Sequence, residues 1–323
     1  MPRLRTTNPS HPGWTRRRRG TGYSLLNESG GAVTSPYERE RVDALAIPPA
    51  WTDVWISPHR NGHIQACGTD ASGRRQYIYH EQWQRSRARA KYDRALELAE
   101  RLPRARAQVT RDLRGEPGTR DRALAVAFRL LDSAYLRVGS ERYAQLHGSK
   151  GLTTLEGSDA HVSADTVVLE FVGKSAMDWS SRTEDPDLAA AIRSLKTRGP
   201  HSRLLAWKDG NRWRALRPEE VNDYVRARTG GDFTAKDFRT LHGTIIAARE
   251  LAALGTQPKA AATKRAINEA VRATAHLLGN TPAVARSTYI DPRVIDRFRS
   301  GALLRTGSVS PERAIRELLL GTP

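Results

Sequence analysis

The apolar residues of this chain change period once, close to residue 80, and that change sets the fold class. Between Ala46 and Tyr79 they fall in short strand-like pieces: Val54-Trp55-Ile56-Ser57, His63-Ile64-Gln65-Ala66-Cys67 and Gln76-Tyr77-Ile78-Tyr79. The turn signals Arg60-Asn61-Gly62-His63 and Asp70-Ala71-Ser72-Gly73 separate them, which reads as a small antiparallel sheet. From Glu81 to Leu113 the residues Ala, Leu, Arg and Glu dominate, as in one or two helices. Helical spacing returns over Asp121–Tyr135, Asp187–Leu195, Pro218–Arg228, Thr234–Leu254 and Ala261–Leu278. Short pieces rich in β-branched residues interrupt the helices: Leu152-Thr153-Thr154-Leu155 and Thr166-Val167-Val168-Leu169-Glu170-Phe171-Val172, with a third strand expected over Arg203–Trp207. The fold class is therefore α+β. A small N-terminal antiparallel β-sheet domain is expected over residues 1–90, and a larger, mostly α-helical domain with a short β-hairpin or three-stranded sheet over residues 91–323.

Charge narrows the partner. Of 323 residues, 53 are Lys or Arg and 35 Asp or Glu, so the formal charge is +18. It is spread along the whole chain, which favours a long polyanion such as nucleic acid over a single lipid-binding patch. Residues 1–36 are rich in Arg, Gly, Ser, Thr and Pro, contain the run Arg16-Arg17-Arg18-Arg19 and hold no sustained period; a loosely ordered arm is expected there. Elsewhere 38% hydrophobic residues, with 7 Trp, suffice for packed cores. A lone cysteine, Cys67, excludes an intramolecular disulfide or a thiolate metal cluster and fits a reducing compartment. No stretch has the length and apolarity of a membrane span, and Met1-Pro2-Arg3-Leu4-Arg5 does not open a secretory signal, so a cytoplasmic protein is expected.

Several familiar sites are missing: a G-x-x-x-x-G-K-[ST] phosphate loop, an H-E-x-x-H pair, a G-x-S-x-G elbow and a cluster of carboxylates for two metals. These absences disfavour a nucleotide hydrolase or a metal-dependent nuclease. The chain does carry an ordered series: Leu136-Arg137-Val138-Gly139, Gly151-Leu152-Thr153-Thr154-Leu155 with His161-Val162, and Phe171-Val172-Gly173-Lys174-Ser175. Lys236-Asp237-Phe238-Arg239-Thr240, Leu278-Gly279-Asn280-Thr281-Pro282 and Ser287-Thr288-Tyr289 continue it. In residues and in order this series resembles the signatures of type IB DNA topoisomerases of the bacterial and poxvirus-like branch. Gly73-Arg74-Arg75-Gln76-Tyr77-Ile78-Tyr79-His80 is similar to that family's DNA-contacting strand, and the resemblance spans roughly residues 37 to 300.

The resemblance implies a monomeric clamp around double-stranded DNA. It would cut one strand through a tyrosine, let the free end rotate and reseal the break, with no ATP, nucleotide cofactor, metal or membrane. It implies a nucleoid-associated protein whose larger domain is catalytic. Matched residue by residue, the catalytic groups are Arg137, Lys174, Arg239, Asn280 and Tyr289, and the DNA-contacting ones Arg75, Gln76, Tyr77 and Tyr79.

These residue types suit that chemistry. Attack on a phosphodiester builds charge on two non-bridging oxygens, which paired guanidinium donors match in geometry. Loss of the 5′-oxygen calls for a proton donor, and a lysine releases its proton more readily than an arginine. A phenol with an ordinary pKa near 10 needs neighbouring cations to act as nucleophile. Poxvirus members carry His where this chain has Asn280, which still donates a hydrogen bond but brings no titrating charge. Tyrosine recombinases share the chemistry, but they usually place His three residues before the second arginine, where this chain has Lys236. A non-enzymatic architectural DNA-binding protein would also satisfy the charge.

Overall fold

The computed structural model describes residues 3–20, 22–307 and 309–321. The chain divides into two compact units, one ending at Ala90 and one beginning at Lys91. In the first, β1 (Trp14–Arg19), β2 (Gly22–Leu26), β3 (Thr52–Ile56), β4 (Ile64–Thr69) and β5 (Arg75–Tyr79) form one antiparallel sheet in the order β2-β1-β3-β4-β5. The helix α1 (Pro36–Ala44) adds Val42 to a core made by Leu25, Val33, Val54, Ile56 and Ala66.

The expectation of a loosely ordered arm over residues 1–36 is overturned: β1 and β2 lie within it, and the arginine run is itself a strand. The cause is the fate of Arg16. Its guanidinium donates to the carbonyls of Ile47 (3.0 Å), Pro48 (2.6 Å) and Trp51 (2.9 Å) and lies 4.3 Å from the centre of the Tyr23 ring. One charge of the run is thus held by carbonyl dipoles and a π-face, and the strand is pinned to the loop before β3.

The helix α2 (Glu81–Leu113) is single and continuous through Pro103, and the second unit takes it up from Lys91. It buries Tyr92, Leu96, Ala99, Leu102, Val109 and Leu113, at the three- and four-residue steps of one helical face. The core also takes in α3 (Arg120–Ser133), α5 (Pro186–Lys196), α6 (Pro218–Thr229) and α7 (Ala235–Leu254), with Phe128 meeting Phe238 edge to face at 5.1 Å. A short α4 (Glu141–His147) precedes the three-stranded antiparallel sheet of β6 (Ala160–Ser163), β7 (Thr166–Val172) and β8 (Asp178–Glu184). After α7 come α8 (Ala260–Leu277), the one-turn α9 (Pro282–Val284), α10 (Pro292–Arg299) and α11 (Pro311–Leu320). No described helix is long and apolar enough to cross a membrane.

Two strand expectations are corrected. Leu152–Thr154 is a buried 3-10 turn, because Thr154 bonds the Gly151 backbone through its own hydroxyl and Thr153 turns its hydroxyl onto the Val138 carbonyl. Local hydroxyl bonds here override β-propensity. The third strand begins at Ala206, not Arg203: β9 (Ala206–Asp209) pairs with β10 (Arg212–Ala215), while Leu204 and Leu205 are fully buried ahead of it.

Candidate active site

Arg137, Arg239, Asn280 and Tyr289 come together in the second unit, although 152 positions separate the first from the last. Arg239 is on α7 and only 2% exposed. It donates to the carbonyls of Leu278, at 2.8 Å, and Tyr135. Tyr135 itself holds a left-handed backbone conformation (φ 57°), which turns the chain sharply after α3. The following residues are pinned by a close backbone approach. A Cβ on Gly151 would lie 2.6 Å from the Gly139 Cα, so only glycine fits, and Leu152 N–H donates to the Arg137 carbonyl at 2.9 Å.

Arg137 donates to the Gly279 carbonyl (2.8 Å) and to Asn280 Oδ1 (2.5 Å). With its oxygen so used, Asn280 keeps a buried Nδ2 that has no partner, and Arg239 Nε is buried without one as well. Both atoms are hydrogen-bond donors, as an anionic ligand requires. A tension shows in charge: burial, then repulsion from Arg239, brings Arg137 down to about 10, and burial lowers Arg239 too.

Tyr289 closes a π-type turn over Ala285–Tyr289, in which Ile290 N–H reaches back to the Ala285 carbonyl at 3.1 Å. The turn rests on α7 at Gly243, where a Cβ would sit 2.9 Å from that of Tyr289. Thr244 Oγ1 donates to the Thr240 carbonyl (2.8 Å) and shares that proton with the Tyr289 carbonyl at 3.1 Å. The Arg239 guanidinium lies 4.8 Å from the phenol ring centre. Burial would push the phenol up, but the charges of Arg239, Arg137 and Lys236 outweigh it and hold Tyr289 below its ordinary value.

Lys174 is exposed in the turn between β7 and β8. It joins the cluster through a cavity of about 230 Å³ that it lines with Arg137, Gly139, Ser140, Ser149 and Lys150. Of these, Lys150 is engaged by Glu156 (3.0 Å) and Asp159 (2.9 Å).

In the first unit the alternation of β5 puts Arg75, Tyr77 and Tyr79 on its exposed face, with Tyr77 and Tyr79 stacked at 5.9 Å. Gln76 does not share that face. It falls on the other side of the strand with Ile78, and its amide donates to Asp70 at 2.8 Å. Arg75 is also engaged, donating to the Asp53 carbonyl (2.9 Å) and to Cys67 Sγ (3.0 Å).

Lys236 was missed as a site residue, although it lies one helical turn before Arg239, a spacing that could have found it. Also missed was a buried network behind the site. Arg106 donates to Asp132 (2.7 Å) and Glu312 (2.7 Å), while His242 Nε2 meets Asp132 at 3.0 Å and packs its ring on Tyr135. Burial alone would raise the Asp132 carboxyl; hydrogen bonds from His242 and Arg106 outweigh it and hold Asp132 well below the usual carboxylate range. No sequence signal joins these four residues.

Known proteins match this chain over most of its length. The family model described as eukaryotic DNA topoisomerase I, catalytic core, covers residues 80–300, and that of the bacterial DNA topoisomerase IB, N-terminal domain, residues 22–70. A DNA topoisomerase 1B of Acanthamoeba polyphaga mimivirus is 30% identical over 270 residues, which are 81% of this chain and 80% of the viral one. The DNA topoisomerase 1B of Vaccinia virus (strain Copenhagen) is 29% identical over 108 residues, 33% of this chain and 34% of its own.

Proposed function

Because the chain belongs to the type IB DNA topoisomerase family, in its bacterial and poxvirus-like branch, we propose that it relaxes supercoiled double-stranded DNA by cutting and resealing one strand. The Tyr289 oxygen attacks the phosphorus of a backbone phosphodiester. As the Tyr–O–P bond forms, the bond from phosphorus to the 5′-oxygen breaks, leaving a 3′-phosphotyrosyl ester and a free 5′-hydroxyl. Lys174 gives the 5′-oxygen its proton, and the phenol proton leaves to solvent. Arg137 and Arg239 donate to the non-bridging oxygens as their charge grows, and Asn280 Nδ2 adds a further donor. Rotation of the free end releases torsion. Attack by the 5′-hydroxyl on the ester then reverses the first step, so the bond energy is conserved and no nucleotide is consumed.

The observation that carries this reading is the phenol of Tyr289, half-buried against Arg239 and lowered by three cations beside two unpartnered buried donors. Arg75, Tyr77 and Tyr79 are proposed to contact the duplex away from the scissile phosphate, with Gln76 bracing their strand. One chain supplies all the reacting groups, so a monomer acting on chromosomal DNA is the proposed working form. Supercoiled plasmid incubated with the protein in EDTA tests the reading. A ladder of relaxed topoisomers and a covalent band on a denaturing gel that Tyr289→Phe abolishes are expected. Untouched plasmid, or the joining of two specific sites, would overturn it.

A further inference from the structure

Lys91 belongs to none of the motifs, yet its ammonium donates a 2.8 Å hydrogen bond to the Thr288 carbonyl, the peptide that leads into Tyr289. Lys91 is half-buried on α2, and its ammonium sits 4.2 Å from the ring centre of Tyr92. Lys236 on α7 repels it and Asp291 attracts it. Asp291 is 1% exposed and is itself held by Arg293 of α10 (2.7 Å), which also pairs with Asp93 of α2 (2.8 Å). Arg94, a further cation on α2, is drawn to Asp237 of α7 at 3.1 Å and to Asp232 at 3.6 Å.

The carbonyl that leads into the nucleophile, that of Thr288, is therefore held by Lys91 of α2, while the single Thr244 hydroxyl of α7 is shared between the Thr240 carbonyl (2.8 Å) and that of Tyr289 (3.1 Å). In a π-type turn the backbone hydrogen bonds are one residue out of helical register, and side-chain donors take their place. The Lys91 bond fixes the peptide from which the phenol projects.

On the reading of Tyr289 as nucleophile, we propose that Lys91 is a positioning residue: its charged ammonium fixes the Thr288–Tyr289 peptide so that the phenol faces the phosphorus, and loss of its proton loosens that aim. Burial, then repulsion from Lys236, brings Lys91 down to about 8, although Asp291 opposes the shift. The holding form is the protonated one. Single-turnover cleavage consequently falls as pH climbs through about 8, against the trend set by Tyr289, whose ionisation favours attack as pH rises.

The test compares the full-length wild type with Lys91→Met and Lys91→Arg in single-turnover cleavage of a short duplex across pH. Affinity for the same duplex is measured in a Tyr289→Phe background. Lys91→Met is expected to slow cleavage about tenfold, the cost of one charge-assisted hydrogen bond, with Kd unchanged and no alkaline fall. Lys91→Arg, which keeps its charge at every working pH, should restore the rate and move the fall upward. A Lys91→Met protein with the wild-type rate and alkaline fall overturns the proposal, as does a loss of rate matched by loss of affinity. Should Lys91→Met fail to fold, Lys91→Arg alone decides: a raised fall supports the role and an unmoved one overturns it. A wild type that forms no covalent adduct brings down the assignment of Tyr289 as well, so the two failures are told apart.

Discussion

Arginines occur in two settings in this protein, and on the proposed function their difference separates holding DNA from cutting it. Arg17, Arg18 and Arg19 of β1 are exposed and have no ion-pair partner among the described residues. Arg137 and Arg239 are buried against carbonyls, lowered by desolvation and aligned beside a phenol. The exposed cations lose little when DNA is absent, because water and salt solvate them. Their contribution is long-range and sequence-independent. The buried pair carries a standing desolvation penalty that, on the proposed function, an incoming phosphate relieves, and most fully when its oxygens bear the extra charge of the transition state. Rate should therefore follow the buried arginines, and affinity the exposed ones.

The hardest test of that division is at Arg239 and its partner ring. Tyr289→Phe should abolish the covalent adduct while leaving duplex affinity intact. Arg239→Ala should slow single-turnover cleavage by about 10³-fold or more, since two buried carbonyls lose their donor together with the phosphate. Arg137→Lys should still cost about 10²-fold, because an ammonium cannot serve Gly279, Asn280 and a phosphate oxygen with a planar fork. If either arginine substitution weakened binding and cleavage equally, the two settings would not be functionally distinct.

What could be read in advance follows the same line. The groups proposed to touch the phosphate lie in short contiguous strings, so each string carried its own signature: Leu136-Arg137-Val138-Gly139, Phe171-Val172-Gly173-Lys174 and Ser287-Thr288-Tyr289. The long helices were legible because burial imposes a 3.6-residue period, as along α2. The supports were not legible. Arg16 is anchored by main-chain carbonyls of Ile47, Pro48 and Trp51, and a carbonyl has no signature in sequence. Arg106, Asp132, His242 and Glu312 meet only after α2, α3, α7 and α11 have packed. The faces of β5 were legible for a simpler reason: a two-residue period sends neighbours to opposite sides and sets Gln76 apart from Tyr77 and Tyr79.

Asn280 lies between the two settings in strength. Its Oδ1 steadies Arg137 and its Nδ2 is left for the phosphate. Asn280→Ala should slow cleavage about ten- to hundredfold, the range for hydrogen bonds to charged groups. Asn280→His restores a donor and should recover most of the rate while adding a pH dependence near the imidazole pKa, about 6.5. Equal cleavage rates for the Ala variant and wild type would remove Asn280 from the chemistry.

The smallest effect on rate is expected at β1, where the effect on affinity should be plain. Replacing Arg17, Arg18 and Arg19 together by Ala leaves Arg16 and its carbonyl partners in place, so the strand keeps its anchor to the loop before β3. Each phosphate that the variant no longer neutralises should reduce the slope of log affinity against log salt by about 0.9, so three such phosphates amount to about 2.7. At low salt and saturating protein the triple variant should cleave like wild type; as salt rises, plasmid relaxation should become distributive and stop earlier. An unchanged salt slope would mean that these arginines are solvated and touch no phosphate. A slope that fell together with the low-salt cleavage rate would mean that the exposed cations take part in the chemistry, and the division between holding and cutting would fail.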